Sequence, residues 1–307
     1  MDSAVVSIGL PIMLAVVMYG LGLTLTVMDF VRVARAPRAV LIALVCQIVV
    51  LPALAVGLAH LFALPAVLAV GFLLLAASPG GTTANLYSLL FRGDVALNVS
   101  LTAINSVLAV VTLPLITNLA VAHFGDDTTG TLSLRFADAA TVFAVVLVPV
   151  VLGMLTRANA PGFAGSMERP VRIASVVMLV VLVAGAVLGE RENVAEYFAA
   201  VGWAALLFCL ISLTIGFAAP RAFGVTGPAS TAAAMEIGIH NTTVAMTIAI
   251  GVLGSVELAV PAAVYSVVMY LVAALFGAVL VRTGINRPPA GASVDRDTDP
   301  EPMPDPV

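Results

Sequence analysis

The sequence predicts an all-α protein that crosses a membrane about nine times and contains two broken helices. Of its 307 residues, 61% are hydrophobic and 10% are charged, whereas an average soluble domain has roughly 25% charged residues. The mean hydropathy is +1.14. Apolar stretches of about 20 residues, the length that crosses a bilayer, recur along the chain, and two of them are interrupted by short polar segments.

Nine apolar segments are long enough to cross a bilayer. They lie near residues 4–27, 39–62, 65–91, 94–123, 137–157, 170–189, 195–219, 228–253 and 257–281. The first has no basic n-region and no small-residue cleavage site, so we expect it to remain in the mature protein. Residues 284–307 are rich in proline and polar residues, which predicts a disordered cytoplasmic tail.

The distribution of basic residues predicts the orientation. All 13 basic residues are arginines. With the N-terminus outside, 11 of them lie in cytoplasmic loops and the tail, and only Arg135 and Arg191 lie outside. This positive-inside bias predicts a multi-pass protein of the cell membrane with an external N-terminus and a cytoplasmic C-terminus. The charge pattern does not indicate nucleic-acid binding.

Two polar breaks interrupt the third and eighth segments. The first is Ser-Pro-Gly-Gly-Thr-Thr-Ala-Asn at 78–85, and the second is Glu-Ile-Gly-Ile-His-Asn at 236–241. Irregular backbone at membrane depth persists only where protein or a solvated cavity satisfies its polar groups. A pair of such interruptions, one in each half of a chain, indicates the binding site of a secondary transporter.

Glu236 is the central candidate for cation binding. A helix that begins near Pro228 places this carboxylate about 12 Å along its axis, near the middle of a hydrocarbon core about 30 Å thick. An acid at that depth costs at least about 2.5 kcal/mol, so it normally faces a partner, a cavity or an ion. The alternative is a protonated Glu236 that is hydrogen-bonded between helices.

Further oxygen donors lie in the second and fourth segments. Asn98, Thr102 and Asn105 are spaced to share one helix face, and Gln47 lies in the second segment. Such residues also serve as interhelical hydrogen-bond partners. Together with Glu236, however, they supply the oxygens that a hard monovalent cation prefers. A half-helix that starts near Thr82 turns its positive dipole end to membrane depth, which favours an anionic substrate.

These motifs resemble the bile acid:sodium symporter family. The resemblance rests on the run at 78–85, the Arg-Gly-Asp-Val-Ala-Leu run at 92–97 and the Glu-Ile-Gly-Ile-His-Asn run at 236–241, and it extends over nearly all nine segments. It implies inverted repeats and two broken helices that cross in a core domain beside a panel domain. The transporter domain would be 1–283, with the panel at about 4–27, 137–157 and 170–189 and the core at about 39–123 and 195–281.

The resemblance also implies one or two sodium sites. The first would use Asn85, Asn98, Thr102 and Glu236. It departs from the family pattern because Ala84 replaces a serine and Asn98 replaces another. An amide oxygen of Asn98 compensates for one of the two lost hydroxyls.

The second implied site would use Gln47, Glu236, the carbonyls of Ile237 and Ile239, and His240. His240 stands where the family usually has glutamine, and an imidazole is a poorer ligand for a hard cation than an amide oxygen. Thr82 and Asn241 match family positions near the anionic end of the substrate.

The sequence therefore predicts a sodium-coupled symporter that imports an organic anion by alternating access. The first alternative is a proton-coupled or uncoupled transporter of such anions, which His240 and Ala84 favour. A remote alternative is a membrane enzyme or sensor that uses Glu236 and His240, but the sequence offers no nucleophile or cofactor motif. We expect no transition metal, and we expect structural roles for His60, His123, Cys46 and Cys209.

Overall fold

A computed structural model describes residues 37–125, 136–167, 194–225 and 227–285, with isolated positions within 15–26 and 169–177. Most of the predicted first and sixth spans and nearly all of the predicted tail lie outside the described residues. The described elements are helices joined by short connections. An all-α membrane protein is thus confirmed, while nine spans and the inverted repeat stay predictions.

The described helices coincide with the predicted second to fifth and seventh to ninth segments. The elements are α1 (Pro37–Val45), a π-helical turn (Cys46–Val50), α2 (Leu51–Leu61), α3 (Ala66–Ala77), α4 (Thr82–Leu90), α5 (Val95–Phe124), α6 (Phe136–Asn159), α7 (Val194–Ala222), α8 (Pro228–Gly238), α9 (Thr242–Thr247), a second π-helical turn (Ile248–Val252), a 3-10 turn (Glu257–Ala259) and α10 (Val260–Thr283). Four stretches of this helical structure are long and apolar enough to cross a bilayer, namely 37–61, 95–124, 198–222 and 257–283.

The two broken helices form the centre of the described fold. Every residue of α3 from Leu68 to Ala77 is buried, and so is every residue of α8 from Ser230 to Gly238. The outer helices instead carry exposed apolar side chains, for example Leu119 on α5 and Leu275 on α10. Helices that are buried all round occupy a core, so the outer apolar faces are the ones suited to lipid.

Close helix contacts hold this centre together. The α8 helix packs against α4, α5 and α7, and α3 packs against α2 and α5. A side chain at Gly71 of α3 would overlap the Leu258 carbonyl, and one at Gly238 would overlap Leu213 of α7. Glycine therefore lets the broken helices approach their neighbours at distances that a Cβ atom would prevent.

The first span contacts the fifth at the positions that are described. Gly22 and Gly153 lie so close that a Cβ on either would overlap the backbone of the other helix. The Tyr19 hydroxyl also donates to the Thr156 hydroxyl oxygen at 3.1 Å. Direct packing of these two spans is what a panel domain requires, although the division into panel and core stays a prediction.

Candidate functional site

The two breaks meet as a short antiparallel ladder. Gly80 and His240 form a β-bridge. On either side of it, the Gly81 N–H donates to the Ile239 carbonyl at 3.0 Å, and the Asn241 N–H donates to the Pro79 carbonyl at 2.8 Å. Helix ends leave backbone groups without intrahelical partners, and each break satisfies the other's groups. The two predicted breaks therefore lie against each other.

Glu236 lies at this crossing with its side chain fully buried. The Thr102 hydroxyl is 2.6 Å from Oε2, and the Asn105 amide donates to Oε1 at 3.0 Å. The backbone N–H of Gly80 also donates to the carboxylate. Hydrogen bonds of this kind stabilise an ionised carboxylate, so the site holds a fixed acidic group at the centre of the fold.

At Gly80, the Glu236 carboxylate occupies the space that a Cβ atom would fill. A Cβ built on this residue would overlap the Glu236 carboxyl carbon and both of its oxygens. The glycine thus allows the backbone of the first break to lie directly against the acid of the second broken helix. The Gly-Gly of the first break gains a specific role that its spacing alone did not indicate.

The polar face of α5, which the spacing predicts, is turned to α8. The Asn98 amide donates to the Ala232 carbonyl at 2.7 Å, one turn before Glu236 on α8. The Thr102 oxygen lies 3.0 Å from the Asn98 carbonyl as well as near Glu236. These contacts confirm that Asn98, Thr102 and Asn105 share one face.

Gln47 caps the end of α3. Its amide nitrogen lies 2.9 Å from the Ser78 carbonyl and 3.4 Å from the Ala76 carbonyl, both near the C-terminus of that helix. Gln47 itself belongs to the π-helical turn Cys46–Val50. Single π-helical turns occur often at functional sites because they re-aim side chains, and this one directs Gln47 at the first break.

His240 binds the same carbonyl from the other side. Its Nδ1 lies 3.1 Å from the Ser78 carbonyl. Because a carbonyl oxygen only accepts hydrogen bonds, Nδ1 carries the proton. The ring stacks on Phe208 at 5.5 Å between centroids and meets Tyr265 edge-on at 5.5 Å. Its Nε2 is buried and has no hydrogen-bond partner within the described part of the chain, so the packed ring keeps one nitrogen available.

The carbonyls of the second break are partly engaged. Ile239 accepts from the Gly81 N–H at 3.0 Å, and Gly238 accepts from the Tyr265 hydroxyl at 2.8 Å. Each carbonyl oxygen has two lone pairs, which leaves Ile239 one for a further contact. Ile237, fully buried on α8, directly follows Glu236.

Asn85, Thr82 and Asn241 lie where the broken helices resume. Thr82 is the first residue of α4. Asn241 caps α9, since its side-chain oxygen accepts from the Val244 N–H at 3.2 Å. Asn85 lies on α4 with its amide oxygen buried, beside the fully buried Ala84. The two helix N-termini are therefore brought together at the bridge.

Several buried amide oxygens at the crossing lack partners among the described atoms. They belong to Gln47, Asn85, Asn98 and Asn105. Buried polar atoms are normally hydrogen-bonded, and an unpartnered one calls for an explanation. Amide oxygens beside a carboxylate form the donor set that suits a hard cation.

Comparison with known proteins agrees with this geometry. The family model described as the sodium bile acid symporter family matches residues 11–197. The chain belongs to this family. Its members are transporters, which confirms the prediction of a membrane symporter rather than an enzyme.

The chain is similar to named relatives in bacteria, animals and plants. It is 30% identical to the uncharacterized sodium-dependent transporter YocS of Bacillus subtilis (strain 168), over 83% of this chain and 78% of the relative. It is 28% identical to the ileal sodium/bile acid cotransporter of Oryctolagus cuniculus, over 80% and 70%. It is 29% identical to the probable chloroplastic sodium/metabolite cotransporter BASS1 of Arabidopsis thaliana, over 83% and 62%.

Sequence reasoning missed part of this symporter's crossing. Phe208 and Tyr265 enclose His240, yet aromatic residues within apolar segments give no sign of such a role. The Ser78 carbonyl accepts from both Gln47 and His240. Because every residue has a carbonyl, the sequence does not indicate which one is used. Ser88 and Thr231 are buried, and neither hydroxyl has a hydrogen-bond partner among the residues that the structure describes. Their positions in the broken spans were the only available signal.

Proposed function

We propose that this family member is a sodium-coupled symporter that imports an organic anion across the cell membrane. The observation that carries the proposal is a fully buried Glu236 carboxylate at the crossing of two broken helices. Three hydrogen-bond donors fix it in place. An acid at membrane depth is costly unless a cation or partner compensates it, and a co-transported sodium ion would provide that charge.

Two groups of residues near Glu236 would hold one or two sodium ions. The first group consists of Asn85, Asn98 and Thr102. The amide oxygens of Asn85 and Asn98 have no partner among the described atoms, and the Thr102 hydroxyl contacts the carboxylate. The second group has Gln47, Ile237, Ile239 and His240, beside the first break. In both groups, a sodium ion would serve as the partner of the buried oxygens. Both ions would share the Glu236 carboxylate.

An anionic substrate fits the two resuming helices. The N-termini of α4 and α9 carry positive partial charge, and the bridge between the breaks brings them together. Thr82 and Asn241 would contact the anionic group. Because the Asn241 oxygen already caps α9, its amide nitrogen is the part that would bind the anion. The names of the relatives, which cite bile acids and metabolites, support an organic substrate.

Alternating access would arise from movement of the core against the panel. The ladder between the breaks and the contacts of α8 with α4, α5 and α7 favour motion of the core as one body. The N-terminus would lie outside and the C-terminus in the cytoplasm, as the arginine distribution predicts.

Glu236→Gln tests the proposal. We expect the variant to fold but to lose sodium-dependent uptake in proteoliposomes, because the isosteric amide cannot balance a cation. Thermal shifts measured with organic anions would separately reveal substrate binding, since a ligand that binds the folded state raises its apparent stability. Glu257→Gln is the matched control, because Glu257 is exposed and away from the crossing. Equal sodium titration curves for Glu236→Gln and wild type would overturn the cation assignment.

One observation favours a second candidate, a proton-linked transporter of the same anion. The Nε2 atom of His240 is buried close to the first break, and no described residue bonds to it. A proton on this nitrogen would place a positive charge where the second sodium is proposed. Replacing sodium with choline at fixed pH separates the candidates, because proton-linked uptake would persist without sodium.

A further inference from the structure

The two histidines away from the crossing face each other at one end of the fold. His60 lies at the end of α2, and His123 lies at the end of α5. Their Nε2 atoms are joined by an N–H···N hydrogen bond of 2.9 Å, although the residues are exposed and belong to different helices. The predicted orientation places this end of both helices outside the cell. Sequence spacing gave no reason to expect the pair to meet.

Ring packing fixes how the two imidazoles point. Their ring centroids are 5.1 Å apart and their planes are nearly perpendicular, at 89°. Phe124 packs on both rings, at 4.9 Å from His60 and 4.7 Å from His123. One Nε2–H donates to the other Nε2, and a metal ion that binds both nitrogens would displace this proton. The packing therefore orders both histidine side chains in advance, which lowers the entropy cost of binding a ligand.

We propose that His60 and His123 form a two-imidazole site for a borderline divalent metal ion, with Zn²⁺ as the best fit. Zinc binds histidine nitrogens at about 2.0–2.1 Å, and tetrahedral geometry then separates two such nitrogens by about 3.3 Å. The observed pair is within about 0.4 Å of that spacing. Water fills the remaining coordination positions, as the exposure of both residues allows.

The chemistry of the pair separates it from the proposed sodium sites. Imidazole nitrogens suit zinc, copper and nickel, whereas sodium, magnesium and calcium prefer oxygen. The third histidine, His240, is buried at the crossing, and both cysteines are buried. A bound metal ties the ends of α2 and α5 together across α3, which packs against both. The site therefore does not depend on the proposed transport function.

Zinc titration of the purified full-length chain tests the proposal, with an affinity tag that contains no histidine. We expect one Zn²⁺ per chain by calorimetry. Affinity should fall about tenfold or more in His60→Gln and in His123→Gln, since loss of a ligand costs at least as much as loss of its supporting contact. The His240→Gln variant should bind zinc as wild type does, and Mg²⁺ should not compete.

Electron paramagnetic resonance with Cu²⁺ on the wild-type chain gives a second measurement that needs no variant. One equivalent of Cu²⁺ should show coupling to two imidazole nitrogens. Unchanged zinc affinity in both glutamine variants would overturn the proposal. A wild-type copper spectrum with coupling to one nitrogen or none would also overturn it. This second result decides the question even if a glutamine variant fails to fold.

Discussion

The two donor sets beside Glu236 are built differently. On one side, Thr102 and Asn105 contact the carboxylate directly, from a continuous helix. On the other side, Gln47 and His240 both donate to the Ser78 carbonyl and reach the acid only through the first break. One set holds the carboxylate, and the other holds the backbone that lies against it. The proposed sodium ions would therefore differ in what their binding stabilises.

This difference affects how cation binding could be coupled to anion binding. An ion among Asn85, Asn98 and Thr102 would add to a group of side chains that is already joined to Glu236. An ion beside Gln47 and His240 would bind at the break itself, where α4 and α9 begin to face the proposed substrate. We infer that the second position is the one that would link cation binding to anion binding.

The largest effect is expected from Gly80→Ala. The added Cβ would overlap the Glu236 carboxylate, so either the break or the acid must move, and both proposed cation positions depend on their contact. We expect sodium-dependent uptake to fall to background, while sodium affinity measured by thermal shift also disappears.

Gly57→Ala is the matched control for this change. Gly57 lies on α2, and a Cβ there would meet nothing within 4 Å. Its uptake should equal that of wild type. Retained sodium binding in Gly80→Ala would show that the break and the carboxylate need not touch, and it would remove the basis of the comparison between the two donor sets.

An intermediate effect is expected from His240→Gln, which restores the residue that the family resemblance implies. Glutamine supplies an amide oxygen and carries no proton, so the variant should bind a second sodium ion. If a proton on His240 replaces only the second sodium ion, the sodium Hill slope should rise from about one in wild type to about two in the variant. The proton-linked candidate also predicts that the dependence of uptake on pH between about 5.5 and 8 is lost. Identical slopes and pH profiles in variant and wild type would assign His240 a purely structural contact.

The smallest effect is expected from Ala84→Ser. Ala84 is fully buried beside Asn85, and a serine would add one oxygen to the first donor set only. One neutral polar contact contributes about 0.5–1.5 kcal/mol, so sodium affinity should rise by roughly two- to tenfold.

Ala120→Ser is the control for that variant, because it adds a hydroxyl at a buried position about 27 Å from Thr102 along α5. It should leave sodium affinity unchanged. Sodium titration by thermal shift measures both variants. Weaker binding in Ala84→Ser would place the first ion elsewhere.

Local sequence patterns predicted much of the fold. Apolar length located the described helices, and glycine and proline located the break at Ser78 to Gly81. The spacing of Asn98, Thr102 and Asn105 placed them on one face because helix geometry is the same everywhere along an α-helix. Resemblance to the family implied that the two broken helices cross, and the bridge between Gly80 and His240 shows that their breaks meet.

Other features depend on residues that are distant in sequence. The contact of Gly80 with Glu236, the shared Ser78 carbonyl and the meeting of His60 with His123 each join different helices. No periodicity encodes such pairs, since they follow from how the helices pack. The π-helical turn at Gln47 is similar, because a single extra residue per turn leaves the apolar pattern almost unchanged.

The ladder between the breaks also has a consequence for biosynthesis. The Pro79 carbonyl and the Gly81 N–H find their partners on Asn241 and Ile239, which the ribosome makes much later. Until then, these peptide groups lie at membrane depth without their final hydrogen bonds, at a cost of several kcal/mol each when lipid surrounds them. The first break therefore lacks these hydrogen bonds until the eighth span has been synthesised, and insertion of that span completes the pairing.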